Sequence, residues 1–153
     1  MQVEPYSYAC MYCNENNLNK LIELLKNNSI DIHRDNENMF LLACKNGNLD
    51  IVKYLIINAE KYSGKKINIH IKGNCAFNKA CMNNHVNIVK YLMTIAEDYS
   101  GKKIDINYNN DEAFAYAYIK NNIDIYIVKE KAVLISQAVF SFRRRGNGFL
   151  KPR

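Results

Sequence analysis

The sequence predicts an all-α solenoid of stacked helix-turn-helix repeats with a period of about 37 residues. Two pairs of matching segments carry this prediction: residues 62–69 return as residues 99–106, and residues 48–55 return as residues 85–92. A copy of this size cannot bury its apolar face alone, so neighbouring copies must stack on one another. We therefore expect the function to depend on a surface and not on a cleft.

Each copy contains two helices of unequal length. Residues 39–44 form a short apolar segment with Asn38 as a plausible N-cap, and Gly47 after it supplies the left-handed residue that closes a helix. Apolar residues then recur at i, i+3 and i+6 over residues 49–56, and Gly64 provides the stop signal. The predicted unit is a short helix, a tight turn, a longer helix and a loop.

The copies divide the chain into five segments. Residues 1–33 are a degenerate first repeat, two full repeats follow, and the last recognisable copy is partial and loses register at Tyr126. The final segment is either a basic tail or an amphipathic capping helix, because an array must end on a less apolar outer face. The predicted boundaries are 1–33, 34–70, 71–107, 108–130 and 131–153.

Residues 42–55 resemble the second half of the ankyrin repeat, and its closing triplet appears at residues 31–33, 68–70 and 105–107. The resemblance implies β-turn or hairpin loops between the copies. Two features depart from the family pattern: the Thr-Pro-Leu-His opening is absent, and about four extra residues lengthen the second helix by about one turn. Long second helices in a sequence rich in Asn, Ile, Lys and Tyr look like the ankyrin proteins of giant DNA viruses of the mimivirus type.

The formal charge of +6 is confined to one end of the chain. Residues 1–130 carry 15 basic and 15 acidic side chains, whereas residues 131–153 carry six basic and no acidic ones. A sequence-independent attraction to nucleic acid would therefore have to come from this tail, which contains Arg143, Arg144 and Arg145. The 48% apolar content excludes a disordered protein.

The chain carries no pattern typical of secretion or membrane insertion. Its first residues lack a basic segment followed by an apolar one, and the apolar run 132–142 is shorter than the roughly 20 residues that cross a bilayer. We expect an intracellular protein without a membrane span, located in a host cytoplasm or, through the arginine cluster, in the nucleus. Five cysteines, an odd number, should then be free thiols.

The cysteines are interpreted as core residues. Cys10 and Cys13 have the C-x-x-C spacing of zinc and redox sites, but a tetrahedral zinc needs four ligands and no second pair lies at suitable spacing. Cys13, Cys44 and Cys81 share one small-residue position of the first helix, which packing alone explains. The sequence therefore predicts no metal site and no cofactor.

The histidines and the repeated Ser-Gly-Lys-Lys segments also receive structural interpretations. His33 and His70 end the closing triplets and are expected to hydrogen-bond the turn backbone, and His85 is expected to bridge turns. Residues 63–66 resemble the end of a phosphate-binding loop but lack its first glycine and its final hydroxyl. No nucleophile is recognisably paired with a base, so we do not expect an enzyme.

The resemblance to ankyrin arrays implies a concave groove that docks a partner protein. Its apolar centre is expected at Ile71, Met82, Tyr108 and Ile119, all in the last two copies, with a charged rim before them. The full set comprises the turn tips and the ends of the first helices: Arg34, Asp35, Glu37, Lys45, Asn46, Ile71, Lys72, Asn74, Met82, Asn83, Tyr108, Asn109, Asp111, Ile119 and Lys120.

The sequence thus predicts a monomeric, non-enzymatic protein–protein interaction scaffold, and its viral resemblance implies action on host proteins. The alternative is a nucleic-acid-binding protein that acts through Arg143, Arg144 and Arg145 in its basic tail.

Overall fold

The computed structural model of the chain describes residues 4–27, 29–106 and 112–146. In this part the chain forms eight helices and no strand, which confirms the predicted all-α solenoid. The helices are α1 (Pro5–Asn14), α2 (Leu18–Asn27), α3 (Arg34–Lys45), α4 (Leu49–Ser63), α5 (Ile71–Met82), α6 (Val86–Ser100), α7 (Glu112–Ile119) and α8 (Ile123–Gly146). None of these helices is both long enough and apolar enough to cross a membrane.

The helices pair along the chain, and the pairs stack into one continuous array. The first helices α1, α3, α5 and α7 lie side by side, and each packs against the second helix of its own pair. One apolar core runs through the array, with a phenylalanine at the same position of three copies: Phe40, Phe77 and Phe114 are all buried. The rings of Phe77 and Phe114 meet edge to face at 6.0 Å, a geometry that stabilises aromatic pairs.

Lysine–tyrosine contacts join α4 and the loop after it to α6 of the next copy. The Lys53 ammonium lies 5.7 Å from the centre of the Tyr91 ring in the next copy, and Lys66 lies 5.3 Å from the Tyr99 ring. The Tyr99 hydroxyl also donates to the Ile56 carbonyl at 3.4 Å. These contacts add a cation–π attraction to the packing of neighbouring copies.

The tight turn inside each pair contains one left-handed residue. Gly47 has a φ of 79°, as predicted, and Asn16, Asn84 and Asn121 take the same place in the other copies with φ between 56° and 60°. Asparagine is among the few residues other than glycine that often adopt this conformation. The sequence of each turn therefore matches its backbone.

The second helices differ in where they end. α4 and α6 both stop at a left-handed glycine, Gly64 at φ 70° and Gly101 at φ 74°, as predicted. In the last copy Ala138 stands at the equivalent position. Because alanine favours the helix and disfavours the left-handed conformation, α8 continues for 24 residues where α4 and α6 have 15. It runs without a break across Lys131.

The first two loops between copies each form a β-turn, as the family resemblance implied, and then continue in left-handed residues. The Arg34 amide donates to the Asp31 carbonyl at 3.3 Å, and the Ile71 amide donates to the Asn68 carbonyl at 3.1 Å. Asp35, Asn36 and Glu37 have φ of 56°, 58° and 63°, and residues 72–74 repeat this geometry. The regular part of α3 therefore begins at Asn38, and the interpretation of Asn38 as an N-cap is wrong. Its side-chain amide instead contacts the Cys10 sulfur at 3.6 Å, in the preceding copy.

Candidate functional site

Seven of the polar residues predicted at the groove are at the surface. Arg34, Asp35 and Lys72 lie at the loop tips and are exposed. The exposed polar residues at the ends of the first helices are Lys45, Asn46, Asn83 and Lys120. These seven side chains are accessible to a partner along one edge of the array.

Arg34 is held in place by the first helix. Its guanidinium lies 4.6 Å from the centre of the Tyr6 ring and bonds the Glu4 carboxylate at 3.0 Å. The Tyr6 hydroxyl donates to the Arg34 carbonyl at 3.0 Å. The first loop tip is thereby fixed to the N-terminal copy, although its arginine remains about half exposed.

Glu37 and Asn74 were predicted to contact a partner, and the structure corrects this prediction. Each is only 5% exposed. Both are the last left-handed residue of a loop tip, and this conformation turns their side chains inward to a histidine. They support the loops from within.

The apolar centre predicted for the groove is only partly exposed. Ile71 is half-buried and packs against the core, and Met82 is half-buried as well. Ile119 is 75% exposed, but it lines a groove between α7 and α8 together with Tyr118 and Tyr126. Tyr108, Asn109 and Asp111 lie outside the described residues. Arg143, Arg144 and Arg145 form part of the α8 backbone.

Glu37, His33 and Ser63 form a hydrogen-bonded unit that we call the tip latch. His33 Nδ1 lies 2.9 Å from both oxygens of the Glu37 carboxylate, and its Nε2 lies 2.7 Å from Ser63 Oγ at the end of α4. The Asn68 backbone amide, in the next loop, donates to Glu37 Oε1 at 3.0 Å. The tip latch therefore connects one loop tip to the end of α4 and to the loop that follows.

The next copy repeats this unit with an amide in place of the carboxylate. His70 Nδ1 bonds Asn74 Oδ1 at 2.7 Å, and its Nε2 bonds Ser100 Oγ at 2.8 Å. The expectation that His33 and His70 contact the turn backbone is thus replaced by a side-chain network. This network takes the place of the missing Thr-Pro-Leu-His opening.

The order Ser63, His33, Glu37 is that of a hydrolytic triad, which the sequence analysis did not find. Its surroundings, however, do not favour a nucleophile. Ser63 Oγ also lies 2.8 Å from the Ala59 carbonyl and 3.2 Å from the Lys65 carbonyl, and the Lys65 amide at 3.3 Å is the single backbone donor beside it. An oxyanion hole needs converging donors for the carbonyl oxygen of a substrate, and the backbone next to Ser63 offers one. The Ser63 hydroxyl itself lies next to two carbonyl acceptors at a helix C-terminus. The arrangement supports a structural role.

Polar bridges also cross between the tight turns. The His85 ring, as predicted, bonds a preceding turn, with Nε2 2.8 Å from the Lys45 carbonyl. Asn48 holds the same position one copy earlier, and its amide donates to the carbonyls of Cys13 and Asn14. Asn48 is 6% exposed, so these bonds satisfy a buried amide.

The cysteines lie where the packing interpretation placed them. Cys13, Cys44 and Cys81 are buried at 0% exposure, and among the described residues no group of three or more cysteine, histidine or acidic side chains could hold a metal ion. Burial raises the pKa of Cys13 and of Cys81 to about 12, and it raises the pKa of Cys44 as well. These three thiols are protonated and unreactive at neutral pH.

Alkaline conditions should destabilise the array. A thiol whose pKa is raised in the folded state contributes stability below its unfolded pKa of 9.0, and this contribution is lost as pH rises toward 12. We expect the urea midpoint to be level up to about pH 8 and to fall between about pH 9 and 11. A Cys13→Ala/Cys81→Ala variant should show a smaller fall, and an identical fall would contradict this assignment.

Comparison with protein-family models supports the fold from an independent direction. The model described as "Ankyrin repeats (3 copies)" matches residues 6–99, which is more than half of the chain. Comparisons with curated proteins and with solved structures find no significant match. The stacked helix pairs, the turns and the family match agree, and the chain belongs to the ankyrin repeat family.

Proposed function

We propose that this protein is a non-enzymatic scaffold that docks a partner protein along the loop tips and first-helix ends of its array. Ankyrin repeats generally mediate protein–protein interaction. The observation that carries the proposal for this chain is the contrast between neighbouring tip residues. Asp35 and Lys72 are exposed, while Glu37 and Asn74 behind them are buried and hydrogen-bonded.

This contrast matters because binding costs free energy when a loop must first become ordered. The hydrogen bonds of His33 and His70 already fix the backbone of the two loop tips. The exposed charges on these tips can therefore contact a partner without a change in the loop backbone. The first tip carries exposed Arg34 and Asp35, and the next tip carries exposed Lys72, so the tips present both signs of charge. They favour a partner surface that also carries both signs. The groove is therefore suited to a folded or extended polypeptide with complementary charges.

A charge-reversed variant tests the proposal. We expect Asp35→Lys/Lys72→Glu to lose capture of its partner from host-cell extract at least tenfold, measured by affinity purification with quantitative mass spectrometry. Both side chains are exposed, so the helical circular dichroism should not change. They are better targets than the half-buried Met82, whose replacement would also disturb the packing.

The matched control is Glu60→Lys/Lys61→Glu, which reverses two exposed charges near the end of α4 and leaves the net charge unchanged in the same way. It should capture the same protein as the unaltered chain. Equal loss in both variants, or no loss in either, would contradict a docking site at the tips.

A viral origin and action on host proteins in the host cytoplasm form the finer part of the proposal. They are supported by the long second helices and by the composition rich in Asn, Ile, Lys and Tyr. Imaging of the tagged protein in infected cells tests the location. An Arg143→Gln/Arg144→Gln/Arg145→Gln variant tests whether these residues direct any nuclear fraction.

Nucleic-acid binding is the second candidate function. It is supported by the helical backbone of residues 143–145, which are all arginines. Three consecutive arginines on a helix supply a concentrated positive charge for phosphates. We expect RNA affinity, if this function is correct, to fall steeply with salt and to be lost in the triple Gln variant. This substitution is cleaner than removal of residues 131–153, because that removal would cut α8 at half-buried Ala132 and Val133.

A further inference from the structure

We propose that two copies of this chain pair through the outer face of the last repeat, which extends over α7 and α8. This C-terminal face consists of six apolar side chains: Tyr118, Ile119, Ile123, Tyr126, Ile127 and Leu134. Each is 42–75% exposed. The rings of Tyr118 and Tyr126 lie 6.1 Å apart, and both line the same open groove as Ile119.

The C-terminal face has the position of a repeat–repeat contact. Cys44 and Cys81 occupy the place of Tyr118 in the two preceding copies, and Val52 and Val89 occupy the place of Tyr126. All four are 0% exposed within the array. The last copy thus leaves open the surface on which another helix pair would stack, and it carries larger apolar side chains there. A terminal repeat normally has a polar outer face.

The exposed area is sufficient for a dimer. With a full side-chain area of roughly 200 Å² each, the six residues together expose on the order of 700 Å². This apolar area is larger than the largest apolar patch on the surface of a typical monomer. It also approaches the roughly 800 Å² that each partner buries in a standard protein–protein interface.

The outer side of α8 is complementary to itself in the antiparallel direction. Ile123, Ile127, Glu130 and Leu134 follow one another at spacings of four, three and four residues, the pattern of a helix that packs along another helix. When two α8 helices run antiparallel about a two-fold axis between residues 130 and 131, Ile127 faces Leu134 of the second copy. Glu130 of each copy then faces Lys131 of the other, so the two-fold axis generates two pairs of opposite charges.

Sedimentation equilibrium over a concentration series tests the pairing with the full chain. We expect a monomer–dimer equilibrium, and Ile127→Asp should raise the dimer dissociation constant at least 100-fold. The matched control is Ile57→Asp: Ile57 is 71% exposed on α4, away from α8, and its replacement should change the constant less than threefold. Unchanged helical circular dichroism in both variants separates loss of pairing from loss of folding.

The orientation is tested by a charge swap. Glu130→Lys and Lys131→Glu should each weaken the dimer about tenfold, and the double variant Glu130→Lys/Lys131→Glu should restore it, because each charge then meets its opposite again. A chain that stays monomeric up to roughly millimolar concentration would overturn the proposal. So would equal effects of Ile57→Asp and Ile127→Asp, or polymers larger than a dimer, which indicate stacking of one copy's C-terminal face on another's N-terminal end.

This pairing replaces the expectation of a monomer, and it is separable from partner docking. Capture by the loop tips at Asp35 and Lys72 should persist in Ile127→Asp.

Discussion

We expect Gly47→Ala to lower the free energy of unfolding by about 3 kcal/mol, as measured by urea denaturation. Two causes act together. Gly47 has a φ of 79°, where a Cβ costs roughly 1–2 kcal/mol. A Cβ there would also lie 2.5 Å from His85 Nδ1, so the ring must move. Its movement breaks the bond from His85 Nε2 to the Lys45 carbonyl, which joins two copies.

The matched substitution Gly64→Ala separates these causes. Gly64 has a similar φ of 70°, but no atom lies within 4 Å of the place where its Cβ would be. We expect a loss of about 1 kcal/mol from backbone conformation alone. Similar losses at both glycines would show that the contact with His85 contributes nothing to stability.

We also expect Glu37→Ala to lower the free energy of unfolding by about 2–3 kcal/mol. The substitution leaves His33 Nδ1–H and the Asn68 amide without their acceptor. Residue 37 keeps its left-handed backbone at φ 63° in the variant. The strain of this conformation is then no longer offset by the hydrogen bonds of the Glu37 carboxylate. Because the tip latch connects consecutive loops, the denaturant slope should fall too, as the copies unfold less cooperatively.

Glu37→Gln is the control for the tip latch. It keeps one carbonyl oxygen for His33, in the way that Asn74 does for His70 in the next copy. We expect a loss of about 1 kcal/mol and an unchanged slope. A loss equal to that of Glu37→Ala would indicate that the negative charge, and not the hydrogen-bond geometry, stabilises the loop.

The parts of the fold that depend on local sequence were predictable. The left-handed position of Gly47 and the helix end at Gly64 follow from the conformational freedom of glycine, which acts within a few residues. The burial of Cys13, Cys44 and Cys81 follows from the repeat itself, because a small apolar residue at the same place in three copies indicates a shared contact. These features needed no knowledge of distant neighbours.

The supports of the candidate site were not predictable in the same way. Glu37 lies next to exposed residues in the sequence, and only the fold brings it to His33 and to the amide of Asn68. A signal was nevertheless present: His33 and Ser63 are 30 residues apart, and so are His70 and Ser100. Pairs that recur at one separation in a repeat protein indicate a shared contact, and this criterion would have found the tip latch.

The end of the array was predicted least well, because repetition stops there. Tyr118 and Tyr126 depart from the cysteine and valine of the earlier copies, and periodicity gives no information about a position that has changed. The contrast between Ala138 and the earlier glycines was a usable signal for the longer helix. Whether a tail or a helix follows Lys131 depended on that one residue.

The length of α8 determines how far the helix extends beyond the other second helices. Nine residues beyond the length of α4 extend a helix by about 13 Å. A stiff spacer of this kind separates the arginine run from the neutral body of the solenoid. The backbone of residues 143–145 therefore lies beyond the length at which α4 and α6 end, and three of the six basic residues of the C-terminal segment stand apart from the stacked helix pairs.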